Sequence, residues 1–344
     1  MKINRVTYGL CLLFIVVMVC NSINSNDRII DKQFYFNELL NDKNDINEIW
    51  RLSNPIQKGI VTVSIIDTGI NIEHEALCDS MWINENETPN DNIDNDNNGY
   101  IDDCYGYNSI ASVGINDKSI ELLEDNHGTA IAGVIKAIYE KGSSVTGIHN
   151  NSKIKLMQIK AIDIEPLSRS NSIENIINAI NYAEENNANI CNLSFTFDYS
   201  NEKILAVIKK SPMLFIIAAG NSCPYGISVD NKMTIISRMQ NVLIVANTNS
   251  AGEIDKNSNY GKESVHIAAP GCNVLTTSVD GSYKYVTGTS FSCAAVSGVA
   301  ALVYQRLYHI CPYDVKKLII ESVTRRDSLE TKVKSKGYIN VDFL

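Results

Sequence analysis

Short, unbroken apolar runs alternate along this chain with longer stretches in which apolar residues recur every three or four positions. The runs Ile60–Ile66, Ile154–Lys160, Ile190–Ser194, Leu214–Ala219 and Val242–Ala246 predict strands, each too short for a helix and with little polar interruption. Thr129–Tyr139, rich in Ala and Ile, predicts a helix. Ser172–Asn187 predicts another, because Ile173, Ile176, Ile177, Ile180 and Ala183 fall on one face at helical spacing. Ser172 suits its N-cap and Asn186-Asn187 its stop. Ser290–Arg306 and Tyr313–Val323 predict two more helices. Strands that are apolar throughout, separated by helices, imply a parallel sheet covered on both faces, the α/β class.

The first 25 residues break this pattern. Lys2 and Arg5 precede an apolar run from Tyr8 to Cys20, followed by the small and polar residues Asn21, Ser22 and Ser25. That is the form of a secretory signal peptide, with cleavage after Ser22 or Ser25. The same residues also allow an uncleaved signal anchor, although the run is short for a membrane span. Residues 26–54 are polar and charged, with helical character around Phe36–Leu40, and read as an N-terminal arm or short pro-segment. Residues 55–344 are long enough for one domain with a large core. The full chain carries net charge −9, and residues 26–344 hold 28 basic against 39 acidic residues. Such a balance argues against nucleic acid as a partner. Export would permit disulfides, but the cysteines beyond residue 25 are odd in number and show no metal-ligand spacing. Cys191 and Cys293 lie in apolar segments and are expected to be buried.

Three segments carry candidate chemistry. Ser290 lies in Gly288-Thr289-Ser290-Phe291-Ser292, where a glycine turn enters a run of small residues ending at Ala300. Asp67 ends the first apolar strand, in Ile65-Ile66-Asp67-Thr68-Gly69. His127 opens a helix, in Asn126-His127-Gly128-Thr129-Ala130. A serine hydroxyl needs an adjacent base to act as a nucleophile at neutral pH, and imidazole is suited to that. A carboxylate beside the imidazole fixes its tautomer and stabilises its charged form. A fourth segment, Ala218-Ala219-Gly220-Asn221, follows an apolar strand and offers a side-chain amide.

The order Asp, His, Ser and the glycine-flanked contexts resemble the subtilisin-like serine proteases, the subtilases, from about Gly59 to the C-terminus. The resemblance implies a subtilisin-like three-layer sandwich with a central, mostly parallel sheet. It implies a serine endopeptidase with Asp67, His127 and Ser290 as the catalytic triad and Asn221 as oxyanion donor. It also implies an extended protein or peptide substrate, bound along Ser194-Phe195-Thr196 and Ala218-Ala219-Gly220. No cofactor is required for such chemistry, and a monomer is expected. The chain departs from the family pattern at Thr196, where a glycine is usual at the rim of the main specificity pocket. Phe291 replaces a methionine, and its ring is expected to crowd the leaving-group side. Ala294 replaces a proline, and Ala130 a structural histidine. Two rival readings are a catalytically silent subtilase serving as a binding or scaffold protein, and a serine esterase. The esterase pattern places the histidine last and needs a second glycine after the serine, and this chain has neither.

Residues 84–103 form an acidic, Asn-rich insertion. Asp94, Asp96, Asn98 and Asp102 occupy positions 1, 3, 5 and 9 of an EF-hand-like count, with Gly99 at position 6. The set suits a structural Ca²⁺, and equally a solvated acidic loop, because position 12 is Tyr105 rather than Glu. Ala76 stands where many subtilases place a calcium ligand, so that site is expected to be missing. His74 is expected to be structural; His149, His266 and His309 are expected to take surface or packing roles.

Overall fold

A computed structural model describes residues 59–116, 125–139, 153–163, 172–307 and 309–341. The signal segment, the N-terminal arm and His149 lie outside these residues. The elements in chain order are β1 (Val61–Asp67), β2 (Tyr107–Asn108), β3 (Val113–Gly114), α1 (His127–Tyr139), β4 (Ile154–Lys160), α2 (Ile173–Glu185), β5 (Ile190–Leu193) and α3 (Glu202–Lys210). There follow β6 (Leu214–Ala218), α4 (Asp230–Ser237), β7 (Val242–Thr248), β8 (Ile267–Pro270), β9 (Val274–Thr277), β10 (Tyr283–Val286), α5 (Thr289–Arg306), α6 (Pro312–Glu321), β11 (Thr324–Arg325) and β12 (Gly337–Tyr338).

One sheet of ten strands has the order β11-β12-β8-β7-β6-β5-β1-β4-β2-β3. Pairing is parallel from β12 through β2, and antiparallel only at the two ends, β11–β12 and β2–β3. A parallel sheet must be covered on both faces, and alternation along the strands divides the core accordingly. Val63, Ile65, Leu156 and Ile216 join the residues of α1, α5 and α6 in one cluster. Ile66, Met157, Cys191, Phe215 and Ile217 join those of α2, α3 and α4 in the other. Together these form the three-layer α/β sandwich. β9 and β10 make a separate antiparallel pair that packs on α1.

α5 is buried over most of its length, including Cys293, Ala294, Ala295, Val296, Ser297, Gly298 and Val299. Small residues on every side let it run through the core, where an amphipathic helix could not lie. α2 begins as its sequence predicts: the Ser172 side chain accepts from the Asn175 amide. The apolar pattern does not mark β8, α3, α4, the β9–β10 pair or the short strands β2, β3 and β11. α3 starts at Asn201, whose side chain caps it, and buries Ile204, Leu205 and Ile208. Cys191 and Cys293 are buried thiols.

Candidate active site

Strand order reverses beside β1. From β1 the chain crosses to β4 on one side, then returns to β5 on the other and continues outward through β6, β7 and β8. Such a switch point opens a crevice at the carboxyl ends of the strands. Asp67 closes β1, Ser194 follows β5, and Asn221 stands three residues beyond β6.

α1 starts against the end of β1. Gly128 makes this possible, since a Cβ there would lie 2.2 Å from the carbonyl oxygen of Gly69. The Gly128 amide donates to Thr68 Oγ1 at 3.1 Å. This close approach sets His127 Nδ1 2.8 Å from Asp67 Oδ1. The Asp67 side chain is 2% exposed and the His127 side chain 30%. Asp67 Oδ1 also accepts from the Thr68 amide at 2.8 Å and from the Thr68 hydroxyl at 3.3 Å. A carboxylate accepts only, so the imidazole carries its proton on Nδ1 and leaves the Nε2 lone pair available. Burial disfavours the charged imidazole. The Asp67 charge and hydrogen bond, with Asp125 adding and Lys284 subtracting, outweigh it and raise the His127 pKa above its ordinary value. The Phe291 ring lies 5.8 Å from the imidazole, centroid to centroid, and is 8% exposed. It packs against the histidine and into the core that α5 shares with α1.

Ser290 lies in the first turn of α5. Its hydroxyl donates to the carbonyl of Ser194 at 2.7 Å. Ser194 Oγ answers by sharing its one proton between the Ser290 carbonyl at 3.0 Å and Asn192 Oδ1 at 2.8 Å. Asn192 Nδ2 donates in turn to Ser297 Oγ at 2.9 Å. A buried network therefore fixes the end of β5 to the helix bearing Ser290. On the other side, Asn221 Oδ1 accepts from the Thr289 amide at 3.1 Å, which leaves the Asn221 Nδ2 group to face outward. The Ser290 amide, in the first turn, has no acceptor within its helix. An amide N–H and a carboxamide NH₂ thus stand on either side of one residue.

The second expected substrate edge, Ala218 to Gly220, is tied to Asn259 at two of its carbonyls. Ala219 and Gly220 accept hydrogen bonds at their carbonyls from Asn259, at 3.2 and 2.9 Å. Phe195 and Thr196 continue from Ser194 along the crevice, Phe195 half-buried and Thr196 exposed. Asn259 belongs to no motif, and only its distance in space identifies it.

The acidic insertion folds on itself. Glu87, Asp94 and Asp96 place carboxylate oxygens within 4.8 Å of one another. Glu87 has no place in the EF-hand count. Asp102 does not join the cluster: its oxygens accept from the amides of Asp91 and Asn92, each at 3.2 Å. Asn98 turns its carbonyl oxygen to the Tyr100 amide at 2.8 Å and its NH₂ toward Asp96 and Asp103. The loop is anchored by Tyr182, which donates to the buried Asp103 at 2.8 Å. Burial raises the Asp103 pKa in spite of this bond. His74 is buried, bonded to the Ser282 carbonyl and the Ala76 amide, as expected of a structural residue. His266 is also buried, and His309 is exposed. Asp125 and Lys284, the charged neighbours of His127, gave no sequence signal because neither belongs to a motif.

The subtilase family model matches residues 58–338. Subtilisin-like protease 1 of Plasmodium berghei (strain Anka) is 29% identical over 300 residues, covering 81% of this chain and 48% of that protein. Subtilisin-like protease 1 of Plasmodium falciparum (isolate 3D7) is 28% identical over 323 residues, covering 88% and 45%. The chain thus spans about half the length of these curated relatives. Among solved structures, the epidermin leader peptide processing serine protease of Staphylococcus aureus superposes with TM-score 0.67 at 19% identity, covering 92% of this chain and 81% of that one. MycP1 with its N-terminal propeptide removed gives 0.62 at 20% identity, covering 90% and 95%. These likenesses agree with the fold described above.

Proposed function

The chain belongs to the subtilase family, and from that premise we propose that it is an exported serine endopeptidase acting on peptides in extended conformation. The observation that carries the reading is the 2.8 Å hydrogen bond from His127 to a buried Asp67 at the switch point where Ser290 and Asn221 converge. The export part follows from the pattern of residues 1–25. No helix among the described residues is long and apolar enough to cross a membrane.

The chemistry runs as follows. A peptide pairs with the edge from Ser194 to Thr196, and one of its amides takes over the Ser194 carbonyl. The Ser290 hydroxyl, displaced from that carbonyl, turns to His127 Nε2. Its oxygen bonds to the substrate carbonyl carbon while its proton passes to Nε2. The negative charge on the substrate oxygen is met by Asn221 Nδ2 and the Ser290 amide. Asp67 stabilises the imidazolium without accepting its proton. His127 then gives the proton to the amine nitrogen, the carbon–nitrogen bond breaks, and water hydrolyses the acyl group from Ser290 by the same steps.

The test is labelling of the secreted protein with a fluorophosphonate probe, beside Ser290→Ala and His127→Ala. Labelling of the parent alone is the expected result. A folded parent that does not label overturns the reading in favour of a silent binding protein.

A structural cation is a separate proposal. Glu87, Asp94 and Asp96 offer only oxygen donors within mutual reach, which suits a hard cation such as Ca²⁺. The ion would brace the insertion and take no part in the chemistry. Its removal by excess chelator is expected to lower the melting temperature of the parent and not that of Glu87→Gln; an unchanged parent refutes it.

A further inference from the structure

Beyond their last paired residues, Leu193 and Ile217, the ends of β5 and β6 form the two walls of a crevice beside Ser290. Both walls are fastened to the first turn of α5: Ser194 bonds Ser290, and Asn221 bonds Thr289. A substrate carbonyl seated on Ser290 with its oxygen toward Asn221 must send the adjacent acyl-side side chain between these walls.

That space is crossed. A Cβ built on Gly220 would lie 2.9 Å from Thr196 Cγ2 and 3.1 Å from Asn259 Nδ2. Even one added carbon on the Gly220 wall would meet the Thr196 methyl. Gly220 has φ +87°, so the wall also holds a turn that favours glycine. On one side the neighbour is fixed. Asn259 is buried and held at both ends, its Oδ1 by the Ile227 amide at 3.1 Å and its Nδ2 by the Ala219 carbonyl at 3.2 Å. On the other side, Thr196 sits in a segment whose alternate side chains, Phe195, Phe197 and Tyr199, pack ring on ring at 6.1 and 4.6 Å. These half-buried rings fix the backbone that carries Thr196.

We propose that Thr196 reduces this crevice to a shallow notch, so that the enzyme cleaves after Gly, Ala or Ser and rejects long aliphatic and aromatic residues at that position. The inference rests on the protease reading above and names the substrate class of the same site. A methylene that a pocket accepts or refuses changes kcat/KM by roughly 10- to 200-fold.

The experiment measures kcat/KM for fluorogenic peptides that differ only in the residue before the scissile bond, taken as Ala, Ser, Leu or Phe. Active sites are counted in every preparation with a fluorophosphonate. The parent is expected to favour Ala and Ser over Leu and Phe by about 10-fold or more. Thr196→Gly is expected to raise the Leu-to-Ala ratio by at least about 10-fold. Thr196→Val keeps the branched volume and is expected to keep the parent's order. A fully labelled parent that cleaves after Leu or Phe as fast as after Ala overturns the notch and leaves the protease reading intact. So does a Thr196→Gly variant with an unchanged ratio. A folded parent that does not label overturns the protease reading, and the notch with it.

Discussion

Asp67→Asn separates two ways in which a carboxylate can serve a catalytic histidine. In many such replacements the amide turns its NH₂ to the imidazole and forces the wrong tautomer, at a cost of about 10⁴ in turnover. Here the hydrogen bonds predict a smaller loss. One oxygen, Asp67 Oδ1, accepts from both the Thr68 amide and His127 Nδ1. An asparagine that turned its NH₂ this way would face the fixed Thr68 N–H donor to donor, leaving a buried amide unsatisfied at about 1–3 kcal/mol. With its oxygen toward Thr68 and His127 instead, the NH₂ takes the buried Oδ2 position, which has no partner, but two hydrogen bonds are kept and the productive tautomer survives. What is lost is charge. Two unit charges about 4 Å apart attract by about 4 kcal/mol at an effective dielectric constant of 20, and a neutral hydrogen bond of about 1 kcal/mol replaces that. The net loss of about 3 kcal/mol corresponds to about two orders of magnitude in kcat/KM. The acid limb of the pH–rate profile also moves. Asp67 raises the His127 pKa, so its removal lets the base remain neutral to lower pH, and the limb shifts toward acid. The assay is kcat/KM against pH for parent and variant, normalised to correctly folded protein. A loss of 10⁴ or more refutes the argument from Thr68. A loss under about 10-fold, or an acid limb that stays in place, refutes the pairing of Asp67 with the catalytic base.

Asn221→Ala is expected to lower kcat by about 10²–10³ with little change in KM, because its Nδ2 group meets charge that develops only in the transition state; a proportionate rise in KM with constant kcat would place Asn221 in ground-state binding instead. His266 bears on acid stability rather than activity. Burial, with Lys316 and Lys334 adding to it, holds its pKa well below the ordinary value against the pull of the Ser237 carbonyl. The unfolded chain therefore takes up a proton at about pH 6.5 that the folded chain refuses. Between that pH and the lowered folded pKa, stability falls by about 1.4 kcal/mol per pH unit as the solution is acidified. Denaturant unfolding at several pH values is expected to show a shallower acid slope in His266→Gln, and equal slopes would count against a buried neutral His266.

How much of this was legible in the sequence depended on whether a feature is local. Asp67 and His127 lie in short contexts whose glycines the geometry demands, Gly69 by its φ of +101° and Gly128 by the approach of the Gly69 carbonyl, and Ser290 follows Gly288 at the start of its helix. α2 was legible because five apolar residues fall on one face and a serine caps it. α4 was not, since its buried residues within Asp230–Ser237 are only Met233, Ile236 and Ser237, too few to set a period. β10 is half-buried at every position, so no alternation marks it. In the acidic loop the carboxylates that come within mutual reach differ from the EF-hand count for a physical reason. An EF-hand count assumes that successive ligands point inward, but Asp102 is spent on the turn at Asp91 and Asn92, and Glu87 reaches the cluster from upstream. Asn259 was out of reach, because no spacing connects it with Gly220.

Three of the departures from the family pattern, Ala130, Phe291 and Thr196, fall into two groups that the geometry keeps apart. Ala130 and Phe291 replace residues around the histidine, and both positions are filled by packing. Ala130 is 1% exposed, and its carbonyl accepts the Thr276 hydroxyl at 2.7 Å, while Thr277 bonds Thr129 in the same way at 2.6 Å. Asn126 adds a bond from its Oδ1 to the Val279 amide. The hairpin of β9 and β10 thus fixes the start of α1 from one side, and the Phe291 ring supports the imidazole from another. Neither change reaches the atoms that transfer a proton. Thr196 belongs to the second group. It projects from the edge proposed for the peptide, and its methyl lies against Gly220 on the opposite wall. Substitution in the first group should therefore act on stability and on both kinetic constants together. Substitution at Thr196 should redistribute kcat/KM among substrates that differ before the scissile bond, because it alters the crevice and not the nucleophile, its base or the oxyanion donors.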